Sequence, residues 1–221
     1  MRLITLSGLD GSGKSTQINF LKEYLKSKDK TFYYFHAVEF SIANKRRKAE
    51  SRKSESVTKA NWLEIQLRKI ALLIDTFRFK RLVKKLRVDY IISDRYFYDT
   101  IINIEYLSSC HSRESGNPEK KKTGSRIKCG MTKWIESLIS KPDFAFYLKV
   151  SPEKIMRRER KPDQGMEYLV AKGKIFAEKM KGWGMIVLDG KKSKEEIFEV
   201  IKSKFQISNF KSNPNDSNPN D

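Results

Sequence analysis

Apolar and polar positions along this chain switch repeatedly between a strand-like and a helix-like period. Residues 3–6 form a short, apolar, β-branched run, followed at once by glycines and then by a helix-forming stretch, 17–25. Strand, glycine loop and helix is therefore the opening order. Residues 32–40 are aromatic and β-branched enough to predict a second strand, with His36 and Glu39 making one end polar. Trp62, Ile65, Leu72, Leu73, Phe77 and Leu82 predict one long helix or two consecutive ones between residues 61 and 86. Residues 88–92 read as a buried strand that ends in Ser93-Asp94-Arg95-Tyr96, and 97–107 and 134–139 are helical in pattern. Residues 144–150 are strand-like, Pro152 opens a helix where its missing N–H is no loss, and a last strand at 185–188 precedes a helix at 194–204. Strands alternating with helices predict an α/β chain, with a five-stranded parallel sheet flanked by helices in three layers.

Three segments stand outside that alternation. Residues 44–59 are basic and Ser-rich with no apolar period, and read as a mobile loop. Residues 108–132 carry Gly116, Asn117, Pro118, Lys120 to Lys122, Gly124 and Gly130 where a short helix-to-helix link would suffice, and read as a polar insertion. Its wording, His111 to Pro118 and Thr123 to Gly130, resembles translations of a dispersed bacterial DNA repeat. Residues 206–221 end in a repeated Asn-Pro-Asn-Asp and predict a disordered polar tail, leaving one domain over 1–205.

Composition sharpens this outline. Of 221 residues only 38% are hydrophobic, as expected where insertion and tail add length without core, and the net charge is +19. Such a balance calls for anionic partners: nucleic acid, anionic membrane or phosphorylated small molecules. No run approaches the roughly 20 apolar residues that span a bilayer, and the first residues lead into a strand rather than a signal peptide, so the expectation is a cytoplasmic protein without membrane association. Cys110 and Cys129 lack the paired spacing of a zinc site. No interleaved aromatics accompany the basic residues of 44–59, which argues against nucleic acid.

The strongest chemical signal is Gly8-Leu-Asp-Gly-Ser-Gly-Lys-Ser15, a G-x-x-x-x-G-K-[ST] phosphate loop between a strand and a helix. Its glycines, Gly8, Gly11 and Gly13, let backbone N–H groups from Ser12 to Thr16 turn toward phosphate oxygens at a helix N-terminus. Lys14 would neutralise β- and γ-phosphates and Ser15 would ligate Mg²⁺. Asp94, at a strand end, supplies a carboxylate near the metal or else caps the following helix. Arg95 faces either an anionic substrate or a neighbouring carboxylate. The run Arg157-Arg158-Glu159-Arg160 is either a solvated helix face or a source of cations on a closing segment, with Pro162 and Gly165 as hinges.

With these motifs in place, the sequence resembles the thymidylate kinase family of P-loop nucleoside monophosphate kinases over most of residues 1–205, excluding the insertion and tail. Residues 6–16 resemble that family's phosphate loop, and 91–96 its Asp-Arg-Tyr/Phe motif. The resemblance implies the P-loop NTPase fold, ATP as donor with Mg²⁺, dTMP as acceptor, and a homodimer formed through helices. It implies that Asp10 contacts the acceptor's sugar hydroxyl, and that Arg95, Tyr96 and Arg78 belong to the acceptor site. The resemblance further implies that, with Gly11 standing where some members carry a catalytic arginine, that role passes to lid arginines, for which Arg158 and Arg160 are the candidates beside Lys14. Two departures bear on substrate choice. No Arg-Glu-Pro-Gly sequence follows the second strand, and Ile74 stands at the family's stacking phenylalanine, with Phe77 nearby as a substitute or a core residue. Two other readings remain: a kinase of this fold with a different acceptor, and a non-catalytic nucleotide- or nucleic-acid-binding protein.

Overall fold

The computed structural model describes residues 1–43, 62–114, 134–159 and 162–210. Five strands, β1 (Arg2–Gly8), β2 (Phe32–His36), β3 (Tyr90–Asp94), β4 (Phe144–Lys149) and β5 (Ile186–Asp189), form one sheet in the order β2-β3-β1-β4-β5, parallel throughout. The helices are α1 (Lys14–Ser27), α2 (Ala37–Phe40), α3 (Trp62–Lys85), α4 (Phe97–Glu114), α5 (Pro152–Met156), α6 (Gly165–Lys179) and α7 (Lys194–Phe210). From β1 the chain crosses to β2 in one direction, and every later crossover runs the other way. Right-handed crossovers therefore place α1 on one face and α3, α4 and α6 on the other. The packing agrees: α1 lies against α7, while α4 packs on both α3 and α6.

The apolar strand residues fill the middle layer. Ile4, Leu6, Ile91, Ile92, Phe146 and Leu148 are each at most 2% exposed, and full burial of such a side chain contributes about 1.5–3 kcal/mol. Between β2 and the α3–α4 layer sits a ring cluster of Phe35, Phe79, Tyr96 and Phe97 with centroids 4.7–6.1 Å apart. Pro152 opens α5 as expected, with Ser151 Oγ accepting from Lys154 N at 3.3 Å.

Several boundaries differ from the sequence expectation. The second strand stops at His36 instead of reaching residue 40, because the His36 imidazole accepts from the Glu39 N–H and turns the chain into α2. α4 continues through residues 108–114, which composition had assigned to the insertion, and α7 continues through 206–210, which it had assigned to the tail. The rest of both segments, and the basic stretch 44–59, lie outside the described residues. Phe77 is 51% exposed and not a core residue. No helix among the described residues is long and apolar enough to cross a membrane.

The sheet order reverses direction at β1, which lies between β3 and β4. In open α/β sheets the crevice beyond the strand C-termini at such a point is where ligands bind.

Candidate active site

The loop after β1 is built around two glycine positions. Gly8 has φ +152°, and a Cβ there would lie 2.8 Å from the Leu148 carbonyl oxygen, because β4 runs alongside in register. Gly13, at the N-cap of α1, has φ +105°, which an L side chain rarely adopts. The loop closes with Ser12 N–H donating to Leu9 O at 3.1 Å. Lys14 is buried, and its ammonium donates to Gly8 O (3.0 Å), Leu9 O (2.8 Å) and Ser12 Oγ (3.4 Å). Burial, with Arg95 adding to it, pulls the Lys14 pKa down to about 8 against the opposing charges of Asp99, Asp10 and Asp94.

β3 delivers Asp94 and Arg95 beside this loop because Asp94 is in register with Leu6 on one side and His36 on the other. Asp94 accepts from Tyr34 Oη at 3.2 Å and faces His36 Nε2 at 3.9 Å. His36 Nδ1 accepts from Glu39 N–H, so a neutral ring carries its proton on Nε2, toward Asp94. Arg95 adopts the left-handed backbone (φ 59°), with its N–H on Leu6 O, and this turns its guanidinium onto Asp10. Of the two open readings of Arg95, the structure shows the pairing with a neighbouring carboxylate, Asp10. Burial would raise the Asp10 pKa, but Arg95, Lys172 and Lys14 outweigh it and hold the group at about 2.

Gly11, Gly13, Lys14, Ser15, His36, Asp94, Arg95 and Arg158 line one cavity of about 320 Å³. Arg158 follows α5, and its guanidinium donates to Gly11 O at 2.5 Å. Among the described residues no three His, Cys, Asp or Glu side chains gather as a metal cage. The oxygen donors present, one hydroxyl (Ser15) and one carboxylate (Asp94), fit Mg²⁺, which takes few protein ligands and keeps waters and substrate phosphates.

Other expected site residues lie elsewhere. Tyr96 is fully buried, with its hydroxyl on Ser140 O at 2.7 Å and its ring against Phe79 and Tyr98, so it faces the core and not the cavity. Arg78 donates to Asp75 (2.6 Å) and Phe40 O (3.0 Å), stacks over the Phe40 ring, and lines a separate cavity of about 640 Å³ with Ile74, Phe77 and Ser140. Arg160 lies outside the described residues.

Four site residues carried no sequence signal strong enough to single them out. His36 read only as the polar end of a strand. Asp99 accepts from Ser7 Oγ (2.6 Å) and Tyr96 N–H (3.0 Å) behind the loop. Tyr168 and Lys172, four apart on α6, reach Asp10 from across the sheet. Burial lowers the Lys172 pKa, and Asp10 opposes it.

Comparison with known proteins adds an independent line. The thymidylate kinase family model matches residues 6–110. A thymidylate kinase of Thermosipho africanus is 27% identical, covering 90% of this chain and 95% of the relative, and a probable thymidylate kinase of Sulfurisphaera tokodaii is 26% identical, covering 90% and 92%. The same fold occurs in the thymidylate kinase from Candida albicans (TM-score 0.65, 17% identity, 94% of this chain and 92% of that one). It occurs also in a deoxyadenosine kinase from M. mycoides (TM-score 0.57, 18% identity, 92% and 99%).

Proposed function

We propose that this chain, whose residues 6–110 match the thymidylate kinase family model and which is similar over most of its length to the thymidylate kinases named above, transfers the γ-phosphoryl group of Mg²⁺-bound ATP to a nucleoside monophosphate, converting dTMP to dTDP. The observation that carries this reading is the convergence of Lys14, Asp94, Arg95 and Arg158 on one cavity beyond the phosphate loop. ATP phosphates bind along the loop N–H groups at the start of α1, where Lys14 offsets their charge. Ser15 and Asp94 would hold Mg²⁺, which supplies charge neutralisation between the donor phosphates. Arg95 holds the acceptor phosphate, and Asp10 accepts from the acceptor's sugar hydroxyl. The attacking oxygen belongs to a phosphate and is already anionic, so no general base is required. Catalysis consists of positioning and electrostatic stabilisation, with Arg158 reaching the charge that spreads over the transferred group. Tyr96 is left out of the acceptor set because of its burial.

A kinase of this fold with another acceptor is favoured by one feature: Val38-Glu39-Phe40-Ser41 follows the second strand where the resemblance leads one to expect Arg-Glu-Pro-Gly. Measuring ADP release over a panel of monophosphates, nucleosides and phosphorylated sugars, with and without Mg²⁺, separates the two. The expected outcome is Mg²⁺-dependent turnover that is fastest with dTMP. Turnover of no monophosphate removes the reading. The proposal places the reaction in the cytoplasm, where ATP is at hand.

The proposal also includes a homodimer. Leu63, Leu67, Ile70, Ile74 and Phe77 on α3 are all 43% or more exposed, and their spacing of four and three residues is that of a helix-pairing seam. Ile70→Glu, at the centre of the seam, is expected to halve the mass measured by sedimentation equilibrium without changing the circular dichroism spectrum. An unchanged mass places the interface elsewhere.

A further inference from the structure

Beside the loop, the ion pair of Asp10 with Arg95 has a second cation that the mechanism above does not use. Lys172 is 3% exposed, lies 3.8 Å from Asp10 Oδ2, and donates to Tyr168 Oη at 2.8 Å. The Tyr168 hydroxyl in turn donates to Asp10 Oδ2 at 3.1 Å. Arg95 takes the other oxygen, Oδ1. An ammonium has donors and no acceptor, so Lys172 occupies the accepting side of the tyrosine hydroxyl and leaves its proton for Asp10. Asp10 is thus held from both sides, by a guanidinium facing the cavity and by a relay from α6 behind it.

The charge count shows why the second cation matters. Three carboxylates (Asp10, Asp94, Asp99) and three cations (Lys14, Arg95, Lys172) meet beside the loop, Asp10 and Arg95 partly exposed and the other four buried. Once Lys14 attends donor phosphates and Asp94 a metal ion, Asp10 and Asp99 remain against Arg95 and Lys172. With Lys172 that remainder is neutral. Without it, Arg95 is the remaining ion-pair partner of Asp10 among the described residues, and an acceptor phosphate must compete with that carboxylate for the same guanidinium, at close range and reduced dielectric.

We propose that Lys172 is a positioning residue that carries the counter-charge of Asp10, so that the Arg95 guanidinium is free to bind the acceptor phosphate while Asp10 stays ionised for the sugar hydroxyl. This rests on the reading of Asp10 and Arg95 as acceptor contacts. The role is specific to this pair: Lys172 acts through Asp10, without touching the substrate, and its value disappears when Asp10 carries no charge.

The test is a double-mutant cycle read as the acceptor KM, with dTMP affinity measured by calorimetry in the absence of ATP. Lys172→Met alone is expected to raise the dTMP KM and Kd by about tenfold or more while kcat changes less than about threefold, coupling of this size being usual for residues of one charged network. Lys172→Arg, which keeps the charge, is expected to recover most of the loss. The decisive comparison is Asp10→Asn against Asp10→Asn/Lys172→Met. Both of these lack the negative charge, so removing the lysine is expected to change KM and Kd by less than about threefold. This comparison stands even if Lys172→Met by itself does not fold, since removing both members of a buried pair is better tolerated than removing one. A tenfold rise in the Asp10→Asn background overturns the proposal, because Lys172 would then act on the phosphate or the fold directly. Turnover of dTMP by the unaltered enzyme with no coupling in the cycle removes this inference alone. Absence of turnover with every monophosphate removes the kinase reading and this inference with it.

Discussion

Lys14→Met is expected to lower kcat by about 10³-fold, the upper range for one preorganised donor aimed at developing charge. The residue is 6% exposed, and its ammonium already faces inward onto the loop, with three loop oxygens as partners. Few water molecules need to be stripped when phosphates replace those partners, so little reorganisation opposes the reaction. Methionine keeps the length of the stem and removes only the charge, and a circular dichroism spectrum separates lost chemistry from lost fold. Activity within tenfold of the unaltered enzyme would contradict the role.

The same lysine gives the pH dependence a definite sign. Its pKa is pulled down to about 8 by burial and by Arg95, so it loses its proton as pH rises through that value, well below the ordinary lysine range. In kcat/KM for ATP, which reports the free enzyme, activity is expected to fall above about pH 8. In kcat, which reports the complex, bound phosphates favour the charged form and move the fall to higher pH. Coincident limbs in the two profiles would assign the titration to another group.

Arg158→Ala carries the second large effect, a loss of about 10³-fold or more in kcat with a much smaller change in the KM for ATP, as for arginines that meet transferring phosphoryl charge. The loop itself offers no arginine, since Gly11 occupies its tip, and Arg158 reaches that tip from α5 through the Gly11 carbonyl. Arg158→Lys is expected to recover only part of the loss, because a point charge does not reproduce the planar fork of a guanidinium. A fall of less than tenfold in Arg158→Ala would move the role to Arg160.

How far the site was legible before folding follows from how local each feature is. The phosphate loop is one contiguous stretch in which glycine, lysine and serine act within eight positions, and the flanking apolar periods mark the strand before it and the helix after it. Asp94 and Arg95 were legible for the same reason, sitting directly after an apolar run that only a buried strand explains. Tyr96 shows the limit of this reasoning. It follows the same motif, yet the left-handed turn at Arg95 sends the next side chain into the aromatic core. Arg78 was placed by resemblance at the acceptor phosphate, and the structure ties it to Asp75 and Phe40.

The sequence by itself determined the alternating α/β architecture, the phosphate loop with Lys14 and Ser15, and a carboxylate and an arginine at the end of a neighbouring strand, because each depends on residues adjacent in the chain or on a period within one element. Only the tertiary structure decided that His36 faces Asp94, that Arg158 meets Gly11 from 147 residues away, and that Tyr168 and Lys172 reach Asp10 from more than 150. Periodicity tells which face of α6 turns inward. Which side chain lies across from that face depends on how the helix crosses the sheet, and the balance of three carboxylates against three cations exists only once the strands and α6 have brought those charges together.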